Sequence, residues 1–309
     1  MPAMPSGPHT PISNLVQDAE PAMGEEISQP TPGTLSDVLE PVDGVEAVQA
    51  EVLESAVLGA DTIKAPDAQL PDIGMASFPD PQAVLETVHG PDNRKQIHQT
   101  SAYPYRVNAS LLITARDGSQ WIGTAWFISP RTLATAAHCV YIKNSQVSGR
   151  DGWVKSIQVM PGRNGAQLPF GSVTSTEFWT VQGWAGAGDE NYDYGAIILP
   201  TPAGATVGTL GFASLPDAAL NGQVANVTGY PGDKPSGQLW YDRKAIASVT
   251  ASKVHYDIDT AGGQSGAAVY IIRNGKRLAI AVHAYGGPTT NSGTRISSQV
   301  FANLSNWKK

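Results

Sequence analysis

Cysteine occurs once in these 309 residues, at Cys139. That excludes an internal disulfide framework. No run of about 18 apolar residues occurs, which excludes a transmembrane helix of ordinary length. The six histidines are scattered, with no ligand-spaced pair, so no metal cluster is expected. Residues 1–15, MPAMPSGPHTPISNL, have neither a basic start nor an apolar stretch, so no ordinary signal peptide is visible. Neither nucleic acid nor membrane is expected as a partner. What is abundant is glycine, 32 residues, together with seven tryptophans, in a chain that is 41% hydrophobic and only 15% charged. This balance fits a β-rich globular protein.

The net charge of −7 conceals a division. Residues 1–86 hold 15 Asp and Glu against a single basic residue, Lys64, and 12 of the 23 prolines. The remaining 223 residues carry a net charge of +7. Stretches such as PTPGTLSD read as a weakly ordered tail, because few apolar residues are available there to offset chain entropy. One stretch differs. EAVQAEVLESAVLGAD, residues 46–61, places Val48, Val52 and Ala56, with Leu53 beside them, at helical spacing and ends near Gly59. An amphipathic helix is expected there. An acidic segment joined to a basic domain is expected to cover it.

From Tyr103 onward short apolar runs alternate with Gly, Pro, Asn and Asp, as in SLLITARDG, WIGTAWFIS, GAIIL, AAVYIIRNGK and LAIAVHAYGG. Runs of four to eight residues between turn signals predict an all-β barrel or sandwich. RNGK at 273–276 predicts a two-residue hairpin. SSQVFANLSNWKK predicts a C-terminal helix.

Residues 257–268, DIDTAGGQSGAA, surround Ser265 with glycine and alanine. A Gly-rich turn is the plain reading. The alternative is a nucleophile turn, in which bare backbone admits a substrate carbonyl and offers N–H groups to an oxyanion. That alternative requires a base and a group to orient it. LATAAHCVY places His138 just after an apolar strand, and NYDYGAIIL places Asp193 at the mouth of another. The order His138, Asp193, Ser265 is one of the chain orders in which Ser-His-Asp sites occur. In that arrangement Ser265 attacks, His138 takes and returns the proton, and Asp193 fixes the imidazole tautomer. The N–H groups of Gly263 and Ser265 would hold the oxyanion.

Residues 87–309 resemble the chymotrypsin-fold glutamyl endopeptidases of bacteria. The likeness is spread over TSAYPYR at 100–106, FISPRTLATAAHCVY at 127–141, MPGRNG at 160–165 and NYDYGAI at 191–197. It continues through TGYPGDK at 228–234, DTAGGQSG at 259–266, GTRI at 293–296 and FANLSNWK at 301–308. The resemblance implies two six-stranded antiparallel β-barrels with a short C-terminal helix, preceded by a weakly ordered acidic prosegment at 1–86. It implies a serine endopeptidase that cuts after Glu, less often after Asp, with no cofactor. A structural calcium ion is left open, with no residue to assign to it.

The resemblance also implies that His283 and Thr260 receive the substrate carboxylate. Cleavage between Glu86 and Thr87 would then free an α-amine at Thr87 beside them. A trypsin-like zymogen pairs such an amine with an acid directly before the nucleophile. Here that residue is the neutral Gln264, so that switch is absent. The expected partners are peptides with an acidic P1 residue and the chain's own prosegment in cis. A secreted monomer is expected. Two departures stand out: the turn continues SGAA, with Ala267 and Ala268 where the family more often has Ser-Pro, and Gly123 stands where a disulfide partner of Cys139 would be expected. Two other readings stay open, a trypsin-like protease of different P1 specificity and a catalytically silent protease-fold binding module.

Overall fold

The computed structural model describes residues 7–15, 39–46, 69–77, 87–287 and 289–309. The helix expected over 46–61 lies outside these residues apart from Glu46.

Two β-barrels form the body of the molecule. In the second, Lys276–Tyr285 pairs with Ala268–Arg273 on one side and Asn291–Arg295 on the other. The ring continues through Lys253–Tyr256, Leu239–Val249 and Val224–Gly229 back to Ala268–Arg273, closing six antiparallel strands. The predicted RNGK hairpin is one of its joints. Asn274 and Gly275 take φ of 51° and 74°, the left-handed pair that a two-residue turn demands.

The first barrel is a path of eight strands. It runs Pro11–Ser13, Glu177–Val181, Gly195–Ile198, Thr132–Thr135, Gln120–Phe127, Asn108–Thr114, Ser156–Pro161 and Val173–Ser175. Only Thr176 separates the last of these from Glu177–Val181, so the chain itself carries the sheet around. The Ser175 hydroxyl donates to the Ile198 carbonyl at 2.6 Å across that seam. Inward residues such as Leu111, Ile113, Ala125, Phe127, Leu133, Ile157, Phe178 and Ile197 are buried and supply most of the driving force. Val227, Val254, Ile258, Val269, Ile271 and Ile280 do the same in the second barrel.

The C-terminal helix Ser298–Trp307 begins at Ser297, whose hydroxyl accepts from the Val300 N–H. Phe301 meets Phe212 at 5.2 Å between ring centroids, and Trp307 stacks on Tyr194 at 5.8 Å.

Pieces of the acidic segment belong to this fold. Pro11–Ser13 adds an antiparallel strand to the Glu177–Val181 edge, and its neighbour His9 hydrogen-bonds the Tyr194 hydroxyl at 2.9 Å. An uncovered edge offers a row of unpaired peptide groups, so a short extended segment docks there readily. Val42 makes an antiparallel bridge to Phe212. Residues 69–77 run from Lys234 in the second barrel past Ile122 in the first to Lys143.

Candidate active site

The sharp ending of the strand Thr132–Thr135 sets the position of His138. The chain leaves the strand through Ala136 and coils into the tight turn Ala137–Cys139, where small side chains let it pack closely. His138 is fully buried. Asp193 follows a turn capped by Asp189, whose carboxylate accepts from the Asn191 N–H at 2.9 Å, and precedes the strand Gly195–Ile198.

Asp193 grips His138 at two points. One carboxylate oxygen, Oδ1, accepts the His138 backbone N–H at 3.0 Å, and Oδ2 lies 2.7 Å from Nδ1. Oδ2 also accepts the Tyr285 hydroxyl at 2.5 Å. Burial opposes charge on both partners. Even so, the Asp193 carboxylate holds the imidazole pKa well above the ordinary histidine value. Against the same burial, the charge and hydrogen bonds of His138, with the Tyr285 hydroxyl, hold Asp193 below the ordinary carboxylate value.

The Ser265 turn is bare for a packing reason as well as a chemical one. Gly263 and Gly266 have φ of 102° and 90°, which only glycine adopts without strain. A Cβ at Gly263 would fall 2.6 Å from the Tyr230 carbonyl oxygen, and one at Gly266 would collide with the backbone of Thr124. The turn is pinned throughout. The N–H groups of Gln264, Gly266 and Ala267 donate to the carbonyls of Ala261, His283 and Gln264 at 3.1, 2.7 and 2.9 Å. Thr124 holds it from the first barrel, giving its N–H to the Ser265 carbonyl at 2.9 Å and its hydroxyl to the Gly263 carbonyl at 2.7 Å. The N–H groups of Gln264, Gly266 and Ala267 are thus already committed within the fold.

The Ser265 carbonyl lies 3.7 Å from the Sγ of Cys139, the residue after His138, so the Ser265 turn and the His138 turn are neighbours. Cys139 is a free, buried thiol, and a Cβ at Gly123 would lie 3.3 Å from its sulfur. Gln264 accepts the Ala261 N–H at 3.1 Å and approaches the buried Arg94 guanidinium at 3.4 Å. Arg94 in turn is clamped by Asp92 and Asp233. A cation thus stands near the residue before Ser265, although that residue is neutral.

The residues expected to read the substrate border the same turn. His283 exchanges backbone hydrogen bonds with Gly266 and Ala267, and its Nδ1 lies 2.6 Å from the buried Tyr256 hydroxyl. Thr260 is fully buried, and its hydroxyl has no hydrogen-bond partner among the described residues. A buried hydroxyl without a partner costs free energy, about 1–3 kcal/mol, and suits a site completed by a ligand. Thr87 lies alongside: its carbonyl accepts the Thr260 N–H at 3.4 Å, and its own N–H donates to Asn291 Oδ1 at 3.0 Å. Asn291 returns a bond to the Thr87 carbonyl at 2.7 Å. Asp259 takes the N–H groups of His89 and Asn93, both at 2.9 Å.

Residues 69–77, QLPDIGMAS, lie over this site. Ile122 gives its N–H to the Pro71 carbonyl at 2.9 Å, and its carbonyl takes the Ile73 N–H at 3.0 Å, in a parallel bridge. The Gln69 amide reaches the Lys234 carbonyl at 3.1 Å, and Ser77 accepts the Lys143 N–H at 3.2 Å. Asp72 packs on Gly262, where a Cβ would meet its own Cβ at 2.9 Å. A Cβ at Gly74 would lie 3.8 Å from Ser265 Oγ. Beneath this strap Ser265 is only 1% exposed.

Among the expected site residues, His138 is joined to Asp193, the Ser265 turn touches Cys139 beside His138, and His283 and the Thr260–Thr87 pair border that turn. Tyr285, Tyr256, Thr124, Asn291 and residues 69–77 were not foreseen. Tyr285 stands two positions after His283, but the register shift between them means that simple alternation does not reveal its position.

A family model for the trypsin-like peptidase domain matches residues 123–280. A glutamyl endopeptidase of Bacillus licheniformis is 41% identical over 232 residues, covering 72% of this chain and 70% of that protein. A Bacillus subtilis protein named extracellular metalloprotease is 40% identical over 225 residues, 72% of this chain and 69% of that one. Among the described residues, no group of three or more His, Cys, Asp or Glu is placed to hold a metal ion. A solved structure of a Glu endopeptidase in complex with MPD superposes with a TM-score of 0.63 at 29% identity, covering 72% of this chain and 98% of that one. With these likenesses added to the double barrel and its cleft, the chain belongs to the trypsin-like serine endopeptidases, in the glutamyl endopeptidase family.

Proposed function

We propose that this endopeptidase cleaves peptide bonds after Glu, less often after Asp, with Ser265, His138 and Asp193 as its catalytic residues. Ser265 Oγ attacks the scissile carbonyl while His138 Nε2 takes its proton and later returns it to the leaving amine. Asp193 keeps the Nδ1 side of the imidazole protonated and turned away from the serine. The N–H groups of Gly263 and Ser265 hold the oxyanion.

Acidic selectivity is assigned to His283, Thr260 and, once it is freed, the α-amine of Thr87. The observation that carries this reading is the buried, unpartnered Thr260 hydroxyl, five residues before Ser265 and joined through its N–H to Thr87. A buried substrate carboxylate needs such donors and a cation, or it stays in water. With a pKa near roughly 7.7–8.0, a Thr87 amine would be at least partly charged at neutral pH.

The acidic segment 1–86 acts as a prosegment. Its residues 69–77 cover Ser265, and cleavage after Glu86 is what a Glu-specific enzyme performs on itself or its neighbour. No cofactor takes part, and secretion as a monomer completes the reading. A peptide panel varying only the P1 residue, applied to the processed protein, tests it. Preferred cleavage after Glu is the expected result. Preference for Arg or Leu would assign a different specificity and return His283 to a packing role.

A further inference from the structure

The strand Lys276–Tyr285 brings two side chains to the cleft, and only one of them belongs to the specificity wall. His283 meets Tyr256 in the second barrel. Tyr285 stands two residues on, where the pairing with Asn291–Arg295 shifts register between these two positions. A bulge of this kind redirects the side chain that follows it. The redirected phenol is 3% exposed, and its hydroxyl donates to Asp193 Oδ2 at 2.5 Å. Its ring centroid lies 6.5 Å from that of His138. The Lys253 ammonium sits over the ring, 4.0 Å from the centroid, and is itself held by the Glu190 carbonyl at 2.7 Å. The strand thus reaches from the second barrel to a carboxylate that belongs to the first.

We propose that Tyr285 is a positioning residue of the catalytic site, which locks the Asp193 carboxylate plane and through it the orientation of the His138 imidazole. The inference rests on the triad reading given above.

Among the described residues three donors surround the carboxylate: the His138 backbone N–H on Oδ1, and His138 Nδ1 and the Tyr285 hydroxyl on Oδ2. Without the phenol, Oδ2 keeps one donor, and the carboxylate can turn about its last bond while still touching the ring. The hydroxyl is suited to donate permanently, because burial and then the negative charge of Asp193 hold its pKa well above the ordinary tyrosine value. Glu190 and Asp189 act in the same direction from the neighbouring turn, and Lys253 is the cation facing the ring. The neighbour Ala284 has no polar side chain to offer. Hydrogen bonds to charged groups are worth more than neutral ones, so one phenol can influence the whole relay.

Tyr285→Phe in the processed enzyme tests this, since it removes only the hydroxyl. Expected is a fall in kcat of about 10- to 100-fold, with KM for the best panel peptide nearly unchanged. The acid limb of kcat/KM should move to higher pH. With one donor gone, more of the Asp193 charge falls on the imidazolium, which then loses its proton less readily. A purely packing role would move neither quantity. A Phe variant with wild-type kcat and an unmoved acid limb overturns the proposal. So does a loss of activity that tracks a lost thermal transition. Ser265→Ala, assayed in parallel, separates the two readings. If that variant keeps its activity, the triad assignment itself is wrong. If it is inactive while Tyr285→Phe behaves as wild type, only the role of Tyr285 falls.

Discussion

Two short glycine-containing segments meet at Ser265, and they are held in different ways. The turn 259–266 is fixed by its own hydrogen bonds, by Thr124 in the first barrel and by His283 in the second. Its glycines cannot be replaced without collision. The strap 69–77 rests on two backbone bonds to Ile122, a glutamine amide and a serine hydroxyl, with Ile73 and Ala76 pressed into the apolar cluster. Burying Ile73 contributes about 1.5–3 kcal/mol, and each hydrogen bond adds about 1 kcal/mol net. If residues 1–86 are the prosegment proposed above, the first segment stays and the second leaves once the chain is cut. On the proposed reading, the Ser265 turn is already formed in the uncut chain, the strap withholds access to it, and cleavage adds the Thr87 amine.

The comparison breaks most visibly at the turn. Ser265→Ala should lower turnover by about 10⁴-fold or more without shifting the thermal midpoint, and His138→Ala should match it, because groups acting as a unit are not additive. Near-normal activity in either variant would move the nucleophile or base elsewhere. On the strap side, Glu86→Gln should leave purified protein with residues 1–86 attached and with background turnover. Added Glu-specific protease should not rescue it, whereas a protease able to cut after Gln should. High activity with residues 1–86 retained would deny the strap its role.

His283→Ala should cost Glu substrates about 30- to 150-fold in kcat/KM, corresponding to roughly 2–3 kcal/mol. Thr260→Val should cost about fivefold, corresponding to roughly 1 kcal/mol. Equal losses for Glu and Leu peptides would assign both side chains to packing. The smallest effect is on pH. Since Asp193 holds His138 above the ordinary histidine value of about 6.5, the imidazole stays protonated to higher pH. The acid limb of kcat/KM should therefore lie above that value, and a limb below it would contradict the coupling.

The sequence disclosed the parts of this picture that depend on local chemistry. Asn274-Gly275 signals its hairpin because those residues accept positive φ. Ser265, His138 and Asp193 are visible because each stands beside an apolar strand in a recognisable setting. Long-range pairings are less visible. Pro11–Ser13 has no length or periodicity to mark it as a strand, and only the open edge at Glu177–Val181 makes it one. Tyr285 reads as one more apolar strand residue until the register shift between His283 and Tyr285, set by pairing with Asn291–Arg295, aims it at Asp193. The same holds for the glycines around Ser265, where the close approach of Tyr230 and Thr124 is a property of the assembled barrels.

The most direct measurement is the rate at which a fluorophosphonate labels the protein before and after cleavage at Glu86, with the adduct located by mass spectrometry. A turn already formed beneath a removable strap predicts slow labelling of the uncut chain. After removal of residues 1–86 it predicts fast, stoichiometric labelling of Ser265 alone, in step with the gain of activity. Equal labelling rates in the two forms, or an adduct on a residue other than Ser265, would contradict the account.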